Sequence, residues 1–420
     1  MRQMARRGFV AGAAGVVAGV VSTITTAGDA VAVPSQQAGP ERTGAAPGKG
    51  GQHVGRRELR GMWVATVANV DWPSAPGLSA AAQEAELIAY LDEAVARRLN
   101  AVILQVRPTA DALWPSPYEP WSQYLTGVQG KDPGWDPLGT AVREAHRRGL
   151  ELHAWFNPYR VANHTDPSRL IATHPARLHP DWVLPYGGKL YYNPGIPEVR
   201  RFVQDAMLDA VRRYDIDAVH WDDYFYPYPV AGQVFDDDAT YAKYGAGFPD
   251  KAAWRRDNTD KLVRETAEQI KKIKKNVQFG ISPFGVWRNA ATDPLGSDTK
   301  AGVQTYDDLY ADTRGWVRKG WIDYVCPQLY FKAQRSDQAV SYSALAPWWA
   351  ETVRGTGVQL WIGEALYKIN NEGWSAGELT EHLDIAAKYP EITGHVFFSA
   401  KDVQEDPKGA MTAVSERWSQ

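Results

Sequence analysis

Asp222 and Asp223 stand together at the end of the apolar run Ala218-Val219-His220-Trp221. In an extended segment alternate side chains share a face, so Ala218, His220 and Asp222 point one way and Val219, Trp221 and Asp223 the other. Two carboxylates closing an apolar strand are costly unless solvated, paired or used. One reading locks them to a nearby arginine. The other gives at least one of them work as nucleophile, general base or stabiliser of a developing oxocarbenium ion. Asp222 is the first choice, because the small Ala218 and polar His220 on its face suit a barrel interior. Glu364 ends a second run, Trp361-Ile362-Gly363-Glu364, and is the candidate partner carboxylate. A pair about 5–5.5 Å apart would serve a retaining glycosidase and one roughly 6.5–9.5 Å apart an inverting one. The other reading of Glu364 is a surface glutamate after Gly363. Asp223 and Glu364 are the candidates for the acid.

Arg107 and Arg160 follow two other apolar runs. They could clamp a substrate carboxylate, such as a lactyl group, or hold Asp222 and Asp223 ionised. His153 and His220 read as hydrogen-bonded histidines within strands rather than metal ligands, since no H-E-x-x-H or comparable spacing accompanies them. Asp236-Asp237-Asp238 reads as a solvated acidic loop in preference to a calcium site, and Cys326 as a small buried apolar residue. Ser282 lacks a G-x-S-x-G elbow, which disfavours a hydrolase triad. No metal and no cofactor is called for.

The elements that position these residues are eight short apolar runs, at 59–67, 101–106, 151–156, 218–221, 277–281, 324–327, 358–362 and 395–398. Helix-period segments alternate with them, at 80–98, 137–148, 199–214, 259–274, 306–319, 341–352 and 380–388. Eight such repeats predict an α/β chain folded as a (β/α)8 TIM barrel, whose working site lies on the loops at the carboxyl ends of its strands. No nucleotide-binding glycine motif follows any strand. Polar and aromatic clusters fall at the same end of every strand. The expected lining of the cleft is Trp63, Arg107, Trp155, Asn157, Tyr159, Arg160, His220, Tyr224, Tyr226, Gln328, Tyr330, Tyr367 and Lys368. Aromatic faces stack on sugar rings and the polar groups bond hydroxyls, so a carbohydrate is the expected ligand.

Composition agrees. The 420 residues carry 49 Asp plus Glu against 46 Lys plus Arg, a balance without the basic footprint of a nucleic-acid binder. One cysteine excludes a disulfide framework. Residues 1–32 read as an export signal: basic Arg2, Arg6 and Arg7, a weakly apolar run to Val21, and the small-residue site Ala30-Val31-Ala32. Arg6-Arg7 ahead of that mild core fits twin-arginine export, and no run is apolar enough for stable membrane insertion. Residues 33–56 are Gly/Pro-rich and read as a flexible linker, leaving 57–420 as the working domain. The expected location is outside the cytoplasm, extracellular or cell-wall associated.

Several ordered blocks carry a resemblance. They are Arg60-Gly61-Met62-Trp63-Val64, Gln105-Val106-Arg107-Pro108, Asn157-Pro158-Tyr159-Arg160, Asp222-Asp223-Tyr224-Phe225-Tyr226-Pro227, Trp254-Arg255-Arg256-Asp257-Asn258, Gly280-Ile281-Ser282-Pro283-Phe284-Gly285, the run from Ile322 to Tyr330, and Leu366-Tyr367-Lys368-Ile369. Through them the chain resembles glycosyl-hydrolase-like family 10 over nearly all of its expected working domain. The resemblance implies a (β/α)8 barrel that hydrolyses glycosidic bonds. The divisome-associated members of that family imply denuded peptidoglycan strands, lacking stem peptides, as the substrate. The Asp222-Asp223 block carries over, whereas no fixed family carboxylate corresponds to Glu364. Asp217 to Tyr224 is also similar to the fourth-strand motif of family 18 chitinases, Asp-Gly-x-Asp-x-Asp-x-Glu. Tyr224 stands where the chitinase acid would, and a substrate-assisted route through an N-acetyl group stays open. The rival expectations are a non-catalytic protein that holds cell-wall glycan, and a glycosidase for another exported polysaccharide.

Overall fold

The computed structural model describes residues 58–334 and 340–418; the expected export signal and linker lie outside the described residues. Among the described residues eleven strands occur in chain order: β1 Leu59–Val64, β2 Ala101–Arg107, β3 Glu151–Phe156, β4 Arg160–Ala162, β5 Val183–Tyr186, β6 Lys189–Tyr192, β7 Ala218–Trp221, β8 Gln278–Ile281, β9 Tyr324–Val325, β10 Gln359–Glu364 and β11 Ile392–Phe397. Eight of them close a barrel in the order β1-β11-β10-β9-β8-β7-β3-β2, and every barrel pair is parallel. This is the (β/α)8 architecture expected from the alternation of strands and helices. Among the described residues no helix is long and apolar enough to cross a membrane.

Alternation sorts each strand into an inner and an outer face. Trp63, Ile103, Trp155, Ala218, Tyr324, Cys326, Trp361 and Val396 form the interior cluster. Val102, Leu104, Leu152, Val219, Trp221, Phe279, Leu360, Ile362 and Phe397 face outward into the larger cluster shared with the helices. Cys326 is buried in the interior, as a small apolar residue would be. The inner layer is aromatic: the Tyr324 ring stacks 3.9 Å from Trp361 and 5.9 Å from His220. Gly280, the register partner of Tyr324, leaves the room for it, since a Cβ there would meet the Tyr324 ring at 2.1 Å. Gly280→Ala is therefore expected to lower stability by about 1–3 kcal/mol, the range of an overpacked core, measurable as a reduced urea midpoint.

Three departures from expectation have local causes. The segment expected as one helix over 306–319 is two, Thr305–Asp308 and Thr313–Arg318. Tyr310 takes a left-handed φ of 52° between them, and the Asp312 side chain caps the second by accepting from Gly315 N. The helix expected at 259 starts earlier, as Lys251–Ile273, because the Asp250 side chain caps it. Residues after β3 form an antiparallel sheet, β4-β6-β5, that no alternation signal had marked. Its strands are three or four residues long, too short for the pattern to emerge.

Candidate active site

Asp222 follows the last residue of β7 and keeps the inward direction of Ala218 and His220. Its Oδ2 accepts from Asn157 Nδ2 at 2.5 Å and Trp155 Nε1 at 3.2 Å, and its Oδ1 from the Tyr224 amide at 3.2 Å. That last bond turns the chain sharply after the strand, so Asp223 turns back to the same rim instead of following Trp221 outward. Asp223 accepts from Gln328 Nε2 at 3.0 Å and from the Tyr228 hydroxyl. Burial pushes the Asp222 carboxyl up, and the Asp223 charge pushes it further; Arg160, the Tyr224 amide and Asn157 oppose this. Asp223 is raised by burial too, against the hydrogen bonds from Tyr228 and Gln328. Two adjacent buried carboxyls, both raised by burial and one also by its neighbour's charge, titrate as a pair, with one proton shared over an extended range of pH.

The donor from Asn157 is oriented by a chain of amides. Gln105, inside β2, accepts from the backbone N–H of Thr66 and of Val67 at 2.9 Å each, which fixes its Oε1 toward the loop after β1. Its Nε2 must then face Asn157 Oδ1, at 2.6 Å. Arg160 Nη2 also donates to that oxygen, at 3.1 Å. With both donors on Oδ1, the Asn157 amide can point only its NH2 at Asp222. The neighbouring His220 is neutral, burial holding it well below the usual imidazole range. Its Nε2 accepts from Trp63 Nε1 at 3.1 Å, leaving Nδ1 to donate to the Tyr324 hydroxyl at 2.9 Å. Ser282 Oγ lies 2.9 Å from the same Nε2, but no carboxylate backs the imidazole, so no hydrolase triad is built here.

Thus Trp63, Trp155, Asn157, Arg160, His220, Asp222, Asp223, Tyr224 and Gln328 come together as expected of a site. Tyr330, Tyr367 and Phe398 form an aromatic cluster alongside, with Phe398 6.2 Å from Trp63. Other expected residues do not join them. Glu364 has the parity of Leu360 and Ile362 and so points outward, between the barrel and its helices. It is fully buried and accepts from Tyr342 OH at 3.1 Å, His382 Nδ1 at 2.7 Å and His395 Nδ1 at 2.9 Å. It is neither the partner carboxylate nor a surface glutamate. Burial would raise its carboxyl, but the His382 charge and the histidine hydrogen bonds outweigh that and hold it down to about 2.

Arg107 is turned away by a bulge: the register passes from Gln105↔Trp155 to Arg107↔Phe156, so Val106 is extra and parity inverts. Arg107 pairs bidentately with Glu119, at 2.5 and 2.6 Å, and donates to the carbonyls of Asn157 and Pro158. It neither clamps a substrate nor touches Asp222; it braces the backbone that carries Asn157. Tyr159 lies in the outer core, and Tyr226 packs on Phe235, Tyr310 and the Arg255 guanidinium. Lys368 pairs with Glu372 at 3.1 Å. Asp237 of the acidic triplet is buried rather than solvated, bonded to Arg255 and Lys251, while Asp238 is exposed. Among the described residues no three His, Cys, Asp or Glu side chains are grouped to hold a metal ion.

Sequence reasoning missed Tyr228, whose hydroxyl donates to Asp223, while Tyr226, expected in the cleft, packs against Phe235 and Tyr310 instead. The available signal was its position between Pro227 and Pro229, which stiffens the chain there. Gln105 stands in the block Gln105-Val106-Arg107-Pro108, yet nothing in the sequence alone assigns it a role.

The sequence profile described as Glycosyl hydrolase-like 10 matches residues 58–376. The chain is 53% identical over 365 residues to Glycosyl hydrolase YngK of Bacillus subtilis (strain 168), covering 86% of this chain and 71% of that protein. It is 41% identical over 387 residues to Glycosyl hydrolase DigH of Escherichia coli (strain K12), covering 86% of this chain and 87% of that one. Among solved structures, the PgaB (BpsB) glycoside hydrolase domain from Bordetella bronchiseptica shares the fold, with a TM-score of 0.52 and 12% identity over 86% of this chain and 98% of that chain.

Proposed function

The chain belongs to the glycosyl hydrolase-like 10 family, and from that premise we propose that it is an exported glycoside hydrolase that cleaves cell-wall glycan, with peptide-free peptidoglycan strands as substrate. The observation that carries this reading is the pair Asp222–Asp223, buried, both raised and aimed into an aromatic rim. Most glycosidases use one carboxylate and one carboxylic acid at the scissile bond. When the pair holds a single proton, the three donors on the Asp222 oxygens favour the charge there, facing the anomeric centre. Repulsion between the two charges acts on the second ionisation. Asp223, with two donors, holds the proton for the leaving oxygen. Tyr224 offers a ring to the sugar, Arg160 its remaining N–H groups, and Gln328 its Oε1 as an acceptor, since both hydrogens of its Nε2 go to Asp223 and Ser282. Export and the choice of a wall glycan are supported by the signal-like residues 1–32 and the Gly/Pro-rich segment after them.

A panel of purified glycans, with products identified by mass spectrometry, tests the reading. New reducing ends are expected from peptide-free peptidoglycan strands. Sedimentation of the chain with sacculi without any released sugar would overturn hydrolysis in favour of simple wall binding.

The pH profile of kcat/KM should carry the signature of the pair. Activity falls at low pH, where both carboxyls are protonated, and at high pH, where both are ionised. Both limbs are expected above the ordinary carboxylate range. Asp223→Asn removes the proton donor, so the alkaline limb of whatever activity remains should disappear while the acidic limb stays. Gln105→Glu acts on the acidic limb instead. A carboxylate oxygen then faces Asn157 Oδ1, the Asn157 amide rotates, and Asp222 loses a donor. The acidic limb rises, and kcat/KM falls by the worth of a hydrogen bond to a charged group, about 1.5–3 kcal/mol.

A further inference from the structure

Three arginines of the described chain are buried. Arg107 is held by Glu119 and Arg255 by Asp237. Arg160 is the exception: its Nε and Nη2 donate to Pro108 O and Asn157 Oδ1, and among the described residues no carboxylate lies within ion-pair distance. Asp222 and Asp223 are near enough to feel its charge without pairing with it.

A second cation stands beside it. In the β4-β6-β5 sheet, Arg160 pairs with Tyr191, Leu184 with Tyr191, and Tyr186 with Lys189. Paired residues share a face, as do alternate residues of one strand, so Arg160, Tyr191 and Lys189 project from the same side. The opposite side, with Val161, Leu190 and Tyr192, is sealed into the main core. Lys189 is half-buried, and among the described residues no hydrogen-bond or ion-pair partner meets its ammonium group. Burial and the Arg160 charge hold its pKa below the usual lysine range. Two partly desolvated cations on one face, neither with a carboxylate, are an unfavourable arrangement for a structure at rest. The Arg160 guanidinium lies 5.2 Å over the Tyr224 ring and bonds the same Asn157 that holds Asp222, so this face opens onto the scissile rim.

We propose that Lys189 and Arg160 form an anion-reading subsite that binds the carboxylate of an acidic amino sugar held against Asp222. The inference rests on the glycosidase reading and sharpens it: the preferred glycan carries a carboxylate on its sugars and is not a neutral polymer. Arg160 contributes donors already fixed by Pro108 and Asn157, and Lys189 contributes a point charge from the hairpin.

The test is calorimetric titration of the full chain in an Asp222→Asn background, which keeps the glycan intact. The probes are a peptide-free tetrasaccharide of alternating N-acetylglucosamine and N-acetylmuramic acid, and the same tetrasaccharide with its carboxylates converted to amides. The acid is expected to bind about tenfold more tightly than the amide, as charge-assisted bonds do relative to neutral ones. Adding Lys189→Gln should bring that ratio close to one, and adding Lys189→Arg should restore most of it. Equal affinities for acid and amide, or a ratio that Lys189→Gln leaves unchanged, would overturn the subsite. Cleavage by the unaltered chain separates the two ideas. Discrimination of acid from amide without release of reducing ends sinks the hydrolase reading alone, and equal cleavage of both glycans sinks the subsite alone.

Discussion

Asp222→Asn is expected to slow the release of reducing ends from peptide-free glycan by on the order of 10³-fold or more, about 4 kcal/mol of transition-state stabilisation, while leaving the barrel folded. The fold survives because the new amide can turn its oxygen to Asn157 and Trp155 and keep both bonds. It then sets an NH2 against the Tyr224 amide, so one hydrogen bond is lost, at about 1 kcal/mol. The buried negative charge is lost as well, which offsets part of that cost. Reducing-end assays beside a thermal melt check both halves. Activity within a few-fold of the unaltered chain would remove Asp222 from the chemistry.

Glu364→Leu has the largest expected effect on stability, about 3–5 kcal/mol, the cost of breaking a buried ion pair from one side. The substitution strands His382, His395 and Tyr342, which come from two helices and a neighbouring strand, and loosens the outer wall of the barrel at once. Glu364→Gln should cost less, because His382 can shed its proton, and it should keep kcat within a few-fold when folded. A catalytic acid at this position would instead lose turnover without losing stability.

The same cluster predicts the pH dependence. Burial lowers the His382 imidazole pKa, but Glu364 and Glu378 outweigh burial and raise it to about 9. Its contribution is therefore complete below the unfolded value of about 6.5 and is lost as pH climbs through 9. Glu364 is depressed to about 2, so its contribution is present above about 4.3 and fades as pH falls below that. Between these limits the unaltered chain is expected to hold a plateau of stability. In Glu364→Leu the alkaline decline should flatten, as followed by urea midpoints from pH 5 to 10.

Much of this site was written in alternation. Ala218, His220 and Asp222 were legible as one face, and the barrel bears that parity out. The same rule, applied to Trp361, Ile362, Gly363 and Glu364, sends Glu364 outward with Ile362. Its position at a strand end suggested a chemistry that parity forbids. Arg107 could not be placed by counting, because the bulge at Val106 inverts the face and leaves no mark in composition. Nor could Tyr228 be chosen over Tyr226 by spacing alone, since both follow the aspartates in a run of alternating tyrosines; long-range packing on Phe235 and Arg255 decides it. The amide chain from Gln105 to Asp222 joins residues 52 and 65 positions apart, a separation that local sequence cannot reveal.

The small sheet after β3 divides labour in the molecule. One of its sides is cemented to the core through Val161, Leu190 and Tyr192, while the other carries Arg160 and Lys189 to the rim. The hairpin Val183–Tyr192 contributes no strand to the barrel and no carboxylate to the reaction. Under the proposed function its outward residues can therefore be exchanged while Asp222 and Asp223 stay fixed, so that within one scaffold the choice of polymer and the power to cut it would change on separate schedules.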